Sequence, residues 1–177
     1  YDPYGTLGTD KTRSMYRPIG INRNCQLAVL QIRPYVPQSH RGVQWMSFGS
    51  NPFNALVPFF TNVREAPEYL ANTTARVLTD SFYWANRLIA ALADARFRDN
   101  ENAIDRYREK VGAFGHKLIH ETDEALACCP EEDVQAVLAA ANLRMADYLR
   151  EQTDTLLSKV LYTTSLAMKN HFAMSDN

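Results

Sequence analysis

The sequence lacks the features that mark several large classes of protein. Its 177 residues carry a net charge of −1, so it has no cationic excess with which to hold a nucleic acid. It also has no apolar run long enough to cross a bilayer, and we expect no membrane partner. The hydrophobic fraction, in contrast, is 46%, which is enough to bury a core and excludes a disordered tail.

Cysteine is scarce, with Cys25, Cys128 and Cys129 the three in the chain. An odd number without CxxC spacing fits neither a disulfide framework nor a zinc site, and a ring between adjacent cysteines would strain the peptide link. We therefore predict reduced thiols and a cytoplasmic protein. Cys25 precedes an apolar run and is interpreted as a small core residue, with a reactive thiol as the alternative.

The first third of the chain has the pattern of a loop followed by strands. Residues 1–24 contain several prolines and glycines and should be irregular. Three apolar runs then predict strands at 27–32, 43–48 and 53–60, of which the last two form an antiparallel hairpin. Apolar residues on both faces predict a sheet covered on both sides, and Pro58 either weakens the third strand or places it at an edge.

The remainder of the chain, from about residue 66 to residue 170, has the pattern of helices. After a short helical turn at 67–72, apolar stripes with helical spacing predict an antiparallel helical hairpin or bundle. Gly112 and Gly115 either weaken the second helix or let a neighbour approach closely. Residues 171–177 are expected to fray. The three long helices are predicted at 74–97, 101–127 and 130–168.

No local pattern of catalytic residues is present in the sequence. The nucleophile elbow and the phosphate-binding glycine motifs are absent. His116 and His120 share one helix face, but Lys117 stands where a zinc protease has glutamate, and zinc needs a third ligand. We interpret both histidines as surface residues and predict neither a metal nor a cofactor.

Arginines cluster around the loop that enters the first strand: Arg13, Arg17, Arg23 and Arg33. Rigid turn residues and amides are interleaved with them. Such a loop can line a pocket and grip a carboxylate with two parallel hydrogen bonds. The alternative is a solvated loop whose arginines pair with surface acids.

The order of five segments resembles the C-terminal half of the bacterial dipeptidase A family, to which the secernins are related. The combination of Trp, Gly and Pro-Phe within residues 45–60 is the most specific part of this resemblance. The later helices match in character more than in motif. The segments, in chain order, are RPIGINRN (17–24), LAVLQIR (27–33), GVQWMSFG (42–49), NALVPFF (54–60) and DSFYWANR (80–87).

The resemblance implies an αββα sandwich of the N-terminal-nucleophile hydrolases, two antiparallel sheets between helical layers. It also implies metal-free hydrolysis of dipeptides by a cysteine that is the first residue of the mature chain. Tyr1 stands first here. We therefore expect residues 1–177 to be the C-terminal fragment of one hydrolase domain, with the catalytic cysteine in upstream polypeptide and no activity in the fragment alone.

We expect the substrate's carboxylate to bind at Arg17 or Arg23, with Asn22 and Asn24 beside them, because a dipeptide with two charged ends needs a cation partner. The expected partners are dipeptides, the rest of the polypeptide and further copies in a homo-oligomer. Two alternatives remain open: a non-enzymatic helical oligomerisation or interaction module, and a related acylase of the penicillin or bile-salt type.

Overall fold

A computed structural model describes residues 24–168 of the chain. Within these residues a three-stranded antiparallel sheet is followed by helices, which confirms the predicted α+β class. The expected irregular segment at 1–24 lies outside the described residues except for its last residue, and the expected frayed tail at 171–177 lies outside them entirely.

The sheet consists of β1 (Gln26–Ile32), β2 (Gly42–Phe48) and β3 (Val57–Phe60), in that order. Both pairs are antiparallel, so the predicted hairpin is confirmed, and β3 is an edge strand as Pro58 suggested. The third strand is shorter than predicted because Asn51–Phe53 form a 3₁₀ turn. Proline suits that turn, since its φ is fixed and it has no N–H for a strand ladder.

The two edges of the sheet differ. Helix α4 (Val134–Leu166) covers the outer edge of β3, where Asn142 accepts from the Phe60 N–H at 2.8 Å and donates to the Phe60 carbonyl at 3.0 Å. The outer edge of β1 has no strand partner among the described residues. Leu30 and Ile32 are 75% and 74% exposed there. The described residues leave this part of β1 uncovered, so the sheet covered on both sides stays a prediction.

The other helices are α1 (Glu68–Ala71), α2 (Phe82–Asp94) and α3 (Phe97–Leu126). The predicted short turn and the two long helices are confirmed, but the first predicted helix began too early. Residues 74–81 are irregular, and Val77 and Leu78 are exposed rather than part of an apolar stripe. The Trp84 indole N–H donates to the Thr74 carbonyl at 2.7 Å, so this segment folds back over the start of α2.

Helices α3 and α4 form the predicted antiparallel hairpin, shown by the stacked rings of Phe114 and Tyr148, whose centroids are 3.9 Å apart. Gly115 allows close approach to the sheet, since a Cβ there would lie 2.7 Å from the Pro58 ring. A Cβ on Gly112 would meet nothing within 4 Å. None of the helices in the described residues combines the length and apolarity that crossing a membrane requires.

Candidate functional site

The first strand begins at a corner where three segments of the chain meet. Asn24 is half-buried and directly precedes Cys25, whose carbonyl accepts from the Gly49 N–H at 3.0 Å. The Cys25 thiol is exposed and hydrogen-bonds the Tyr83 hydroxyl near the start of α2. Burial, together with this contact, raises the pKa of Tyr83. The interpretation of Cys25 as a core residue is wrong, because β1 lies at an open edge.

Gly49 makes the close packing of this corner possible. Its φ of +81° is in the left-handed region that favours glycine, and a Cβ there would lie 3.1 Å from the Asn86 Cβ. Asn86 is fully buried and donates from Nδ2 to the Phe82 carbonyl at 2.6 Å. Its Oδ1 has no hydrogen-bond donor in the part of the chain that the structure describes. The corner therefore contains one buried acceptor close to the turn after β2.

Asn54 and Arg108 fix the turn between β2 and β3. The Asn54 side chain donates to the Phe48 carbonyl and accepts from the Ala55 N–H at 2.7 Å and from the Tyr107 hydroxyl at 3.3 Å. Arg108 donates to carbonyls of residues 51, 52 and 54. This network joins α3 to the turn next to the corner, so the corner is held on two sides.

The buried position of Tyr107 keeps its own hydroxyl uncharged within this network. Tyr107 also hydrogen-bonds Thr153 of α4 at 3.1 Å. Burial raises the pKa of Tyr107, and burial raises the pKa of Tyr69 to about 12. Both phenols therefore stay protonated at neutral pH, and Tyr107 is a neutral partner that positions Asn54 rather than an acid or a base.

The opposite end of the sheet carries a buried ion pair. Arg33 follows β1, is 2% exposed, and donates to Asp123 of α3 at 2.5 Å and to the His40 carbonyl at 2.6 Å. Its guanidinium lies 5.6 Å from the centroid of the Phe60 ring. Arg33 therefore belongs neither to a solvated loop nor to a carboxylate-binding pocket, because its charge is already neutralised inside the fold.

His40 lies next to this ion pair. Its Nδ1 is 3.2 Å from Ser39 Oγ and its Nε2 is 3.8 Å from Asp123 Oδ1. Burial lowers the pKa of His40, against the opposing effect of Asp123, and Arg33 lowers it further. A Ser–His–Asp order is present, but the carboxylate is held by Arg33. Arg33, His40 and Asp123 therefore have a structural role: they connect the β1–β2 turn to α3.

The two histidines of α3 lie on the surface, as predicted. The His116 ring packs against Trp45, with centroids 4.9 Å apart, and His120 lies 3.4 Å from Glu124. No group of three potential ligands that could hold a metal ion occurs in residues 24–168.

A cavity of about 330 Å³ lies on the face of the sheet that points away from α3. Met46, Phe48 and Phe59 form its floor, and the segment from residue 61 to residue 67 forms one wall. Leu30 is paired with Gln44, which also lines the cavity, so the exposed face of β1 continues into it. The floor of the cavity is apolar, whereas Gln44, Arg64 and Glu65 make part of its lining polar.

Of the four predicted substrate-binding residues, Asn24 lies at the corner described above. Arg17, Asn22 and Arg23 lie outside the described residues. Sequence reasoning missed the positioning roles of Asn54, Asn86, Tyr107, Arg108 and Asp123. Each bonds a residue distant in sequence or a backbone carbonyl, and no local spacing pattern marks such contacts.

Comparison with known proteins identifies the family of this chain. The family model described as peptidase family C69 matches residues 1–110. The chain belongs to peptidase family C69. The match covers all three strands, α2 and the first part of α3, and therefore includes the corner, its glycine turn and Arg108.

This C69 chain is similar to several curated dipeptidases. It is 50% identical to a dipeptidase of Bifidobacterium longum over 214 aligned positions, which cover 99% of the chain and 40% of the relative. It is 47% identical to a probable dipeptidase A of Streptococcus pyogenes serotype M1, covering 99% of the chain and 36% of the relative. Dipeptidase A of Lactobacillus helveticus is 40% identical over 91% of the chain and 34% of the relative. The chain thus spans about two fifths of the length of such relatives.

Proposed function

We propose that this chain is part of a dipeptidase and that it contributes one sheet, the outer helices and part of the substrate site. The observation that carries the proposal is the C69 match together with 50% identity to a dipeptidase along nearly the whole chain. At that level of identity, the fold and the arrangement of the site are normally retained. The attacking group lies in polypeptide beyond these residues.

The proposed architecture is the αββα sandwich, with the present sheet as one of its two inner layers. The asymmetry of the sheet supports this arrangement. Asn142 and α4 close the edge of β3, whereas the edge of β1 is open and Leu30 and Ile32 are bare. An open strand edge and an exposed apolar face promote association with other chains unless another layer covers them. The face that holds the 330 Å³ cavity is therefore the proposed position of the second sheet.

The proposed nucleophile is a cysteine at the N-terminus of the mature enzyme, outside this chain. Its thiol attacks the scissile carbonyl while its own α-amino group accepts the thiol proton and then gives it to the departing amine, and water hydrolyses the resulting thioester. The positions of this chain's own thiols support an external nucleophile. Cys25 directly precedes β1 and its thiol hydrogen-bonds the Tyr83 hydroxyl of α2, and Cys128 and Cys129 follow the end of α3.

The proposed binding group for the substrate's carboxylate is Arg17 or Arg23, assisted by Asn22 and Asn24. The position of Asn24 supports this assignment, because Asn24 directly precedes Cys25 at the corner that Gly49 and Tyr83 hold. A guanidinium matches the two oxygens of a carboxylate in geometry and charge. The free carboxylate would then distinguish dipeptides from longer peptides.

The test uses a polypeptide of the relatives' full length that contains this chain, with simple dipeptides as substrates. Arg17→Ala or Arg23→Ala should raise KM by about tenfold or more with a smaller change in kcat, because a ground-state contact is removed. A dipeptide amide, which lacks the carboxylate, should show no such increase. Arg76→Ala, an exposed arginine elsewhere, is the control. Unchanged KM values in both variants would remove the assignment of these arginines.

A second candidate is an amidase that acts on N-acyl amides, since the same fold class supports several amide hydrolyses. The apolar side chains of Met46, Phe48 and Phe59 on the cavity floor support this candidate, because a space left between the two proposed layers could take an acyl chain. Comparison of dipeptides with N-acyl amides as substrates of the same enzyme separates the two. Faster turnover of N-acyl amides would replace the dipeptidase proposal.

A further inference from the structure

The groove between α3 and α4 is lined by three cations and no carboxylate. It has a volume of about 190 Å³, and Arg106 and Lys110 of α3 face Lys159 of α4 across it. Gln152 adds a neutral amide donor to the lining. All three cationic side chains are exposed to solvent. Their repulsion is a cost that a bound anion would relieve.

The charges of these three side chains are uncompensated in the described part of the chain. None of them makes an ion pair or hydrogen bond there, whereas Lys117 and Arg144 both pair with Glu121 on the same two helices. Of the two acids adjacent in sequence to Arg106 and Lys110, Asp105 pairs with Arg108, and Glu109 does not line the groove. The three cations of the groove are therefore available to contact a bound anion.

The groove faces away from the sheet. Arg108 contacts the turn before β3, and Arg106 and Lys110 are each two positions from it along the helix, which is a rotation of about 200°. They therefore lie on the opposite side of α3. A second layer over the sheet leaves this groove open, so the site is separate from the proposed substrate site and does not depend on the dipeptidase proposal.

We propose that this groove binds a phosphate group. A carboxylate offers two oxygens, whereas a phosphate offers three acceptor oxygens and up to two charges, which matches three cations that converge from two helices. The volume admits a phosphate ion or the phosphate end of a small ester. A nucleic acid is not the ligand, because the chain as a whole has no excess of positive charge.

The test is calorimetric titration of this chain with inorganic phosphate and with glycerol phosphate, at constant ionic strength. The variant R106Q/K110Q/K159Q should bind phosphate at least about tenfold more weakly, since three charge-assisted contacts are lost. The control R64Q/R76Q/R98Q removes the same charge from exposed arginines elsewhere and should bind within about twofold of the unaltered chain. Lys159→Gln alone, which alters one exposed side chain, should weaken binding about threefold.

The two ligands distinguish the sources of the phosphate group. Tighter binding of glycerol phosphate points to an ester, and tighter binding of inorganic phosphate points to the free ion, and either outcome supports the site. Absence of saturable binding by the unaltered chain, an equal loss in the control variant, or equal affinity for acetate would overturn the proposal.

Discussion

The ion pair between Arg33 and Asp123 connects the β1–β2 turn to the second half of α3. Arg33 also donates to the His40 carbonyl, so one side chain links three parts of the fold. A buried guanidinium is tolerated only when it is paired, because an unpaired buried charge is costly. The stability of the sheet end should therefore depend on Asp123.

Asp123→Ala should lower the free energy of unfolding by about 3 kcal/mol, because Arg33 keeps its charge but loses its carboxylate inside the fold. Urea unfolding followed by circular dichroism measures the change. Glu124→Ala is the control, since Glu124 is exposed and pairs with the exposed His120; its effect should stay within about 0.5 kcal/mol. Equal effects of the two substitutions would show that Arg33 does not need Asp123.

His40 should make stability depend on pH. Burial lowers the pKa of His40 in the folded chain below 6.5. Between that lowered pKa and pH 6.5, the unfolded chain therefore binds more protons than the folded chain. Its stabilising contribution is present above about pH 6.5 and is lost as the pH falls through the lower folded pKa. His40→Gln keeps the backbone carbonyl that accepts from Arg33. Denaturation between pH 7.5 and pH 5 should show a smaller loss in this variant, and parallel curves would contradict the assignment.

At the residue scale, the sequence predicts side chains that act locally but not those that act across the fold. The surface positions of His116 and His120 follow from helical spacing, and the structure agrees. Arg33 was placed in a cluster with the loop arginines, yet its partner is 90 residues away. Cys25 was interpreted as buried because its neighbours are apolar. An apolar strand at an open edge gives the same local pattern.

At the element scale, Gly112 and Gly115 provide a matched pair on one helix. Gly115→Ala should destabilise the chain by about 1–3 kcal/mol, because its Cβ would lie 2.7 Å from the Pro58 ring of β3. Gly112→Ala has open space and should stabilise α3 by up to about 1 kcal/mol through helix propensity. Thermal unfolding of both variants measures the two shifts. Shifts of the same sign would mean that α3 does not contact β3 as described.

The strands and long helices were predictable because their apolar spacing follows from their own geometry. Two boundaries were not. Helix α2 begins only at Phe82. The Thr74 carbonyl accepts from the Trp84 indole N–H, and this contact holds residues 74–81 away from a helical path. The third strand begins at Val57 because Asn54, tied to Phe48 and Tyr107, keeps the chain in a turn until that point. Both boundaries depend on contacts between residues that folding brings together.

At the scale of the whole molecule, the two edges of the sheet differ in what covers them among the described residues. The α+β order of elements was predictable, and the sequence also suggested strands apolar on both faces. The sequence could not show which strand lacks a cover. That depends on α4 closing the edge of β3, through Asn142, while no strand among residues 24–168 pairs with the outer edge of β1.

The isolated chain should self-associate through the exposed face of β1. Leu30→Lys with Ile32→Lys should shift the concentration of half-association upwards by about tenfold or more, because charge on an edge strand opposes pairing with another chain. Sedimentation velocity over a range of concentrations measures this. Leu161→Lys, an exposed leucine near the end of α4, is the control and should leave association unchanged. A chain that stays monomeric at high concentration would contradict this expectation.

Hydrolysis of a simple dipeptide, measured for this chain and for a polypeptide of the relatives' full length that contains it, tests the central claim most directly. The account predicts turnover by the longer polypeptide, none by residues 1–177 alone, and little change when Cys25→Ser is introduced into the longer one. Turnover by the 177-residue chain that disappears with Cys25→Ser would contradict the account, because the attacking thiol would then lie within this sequence.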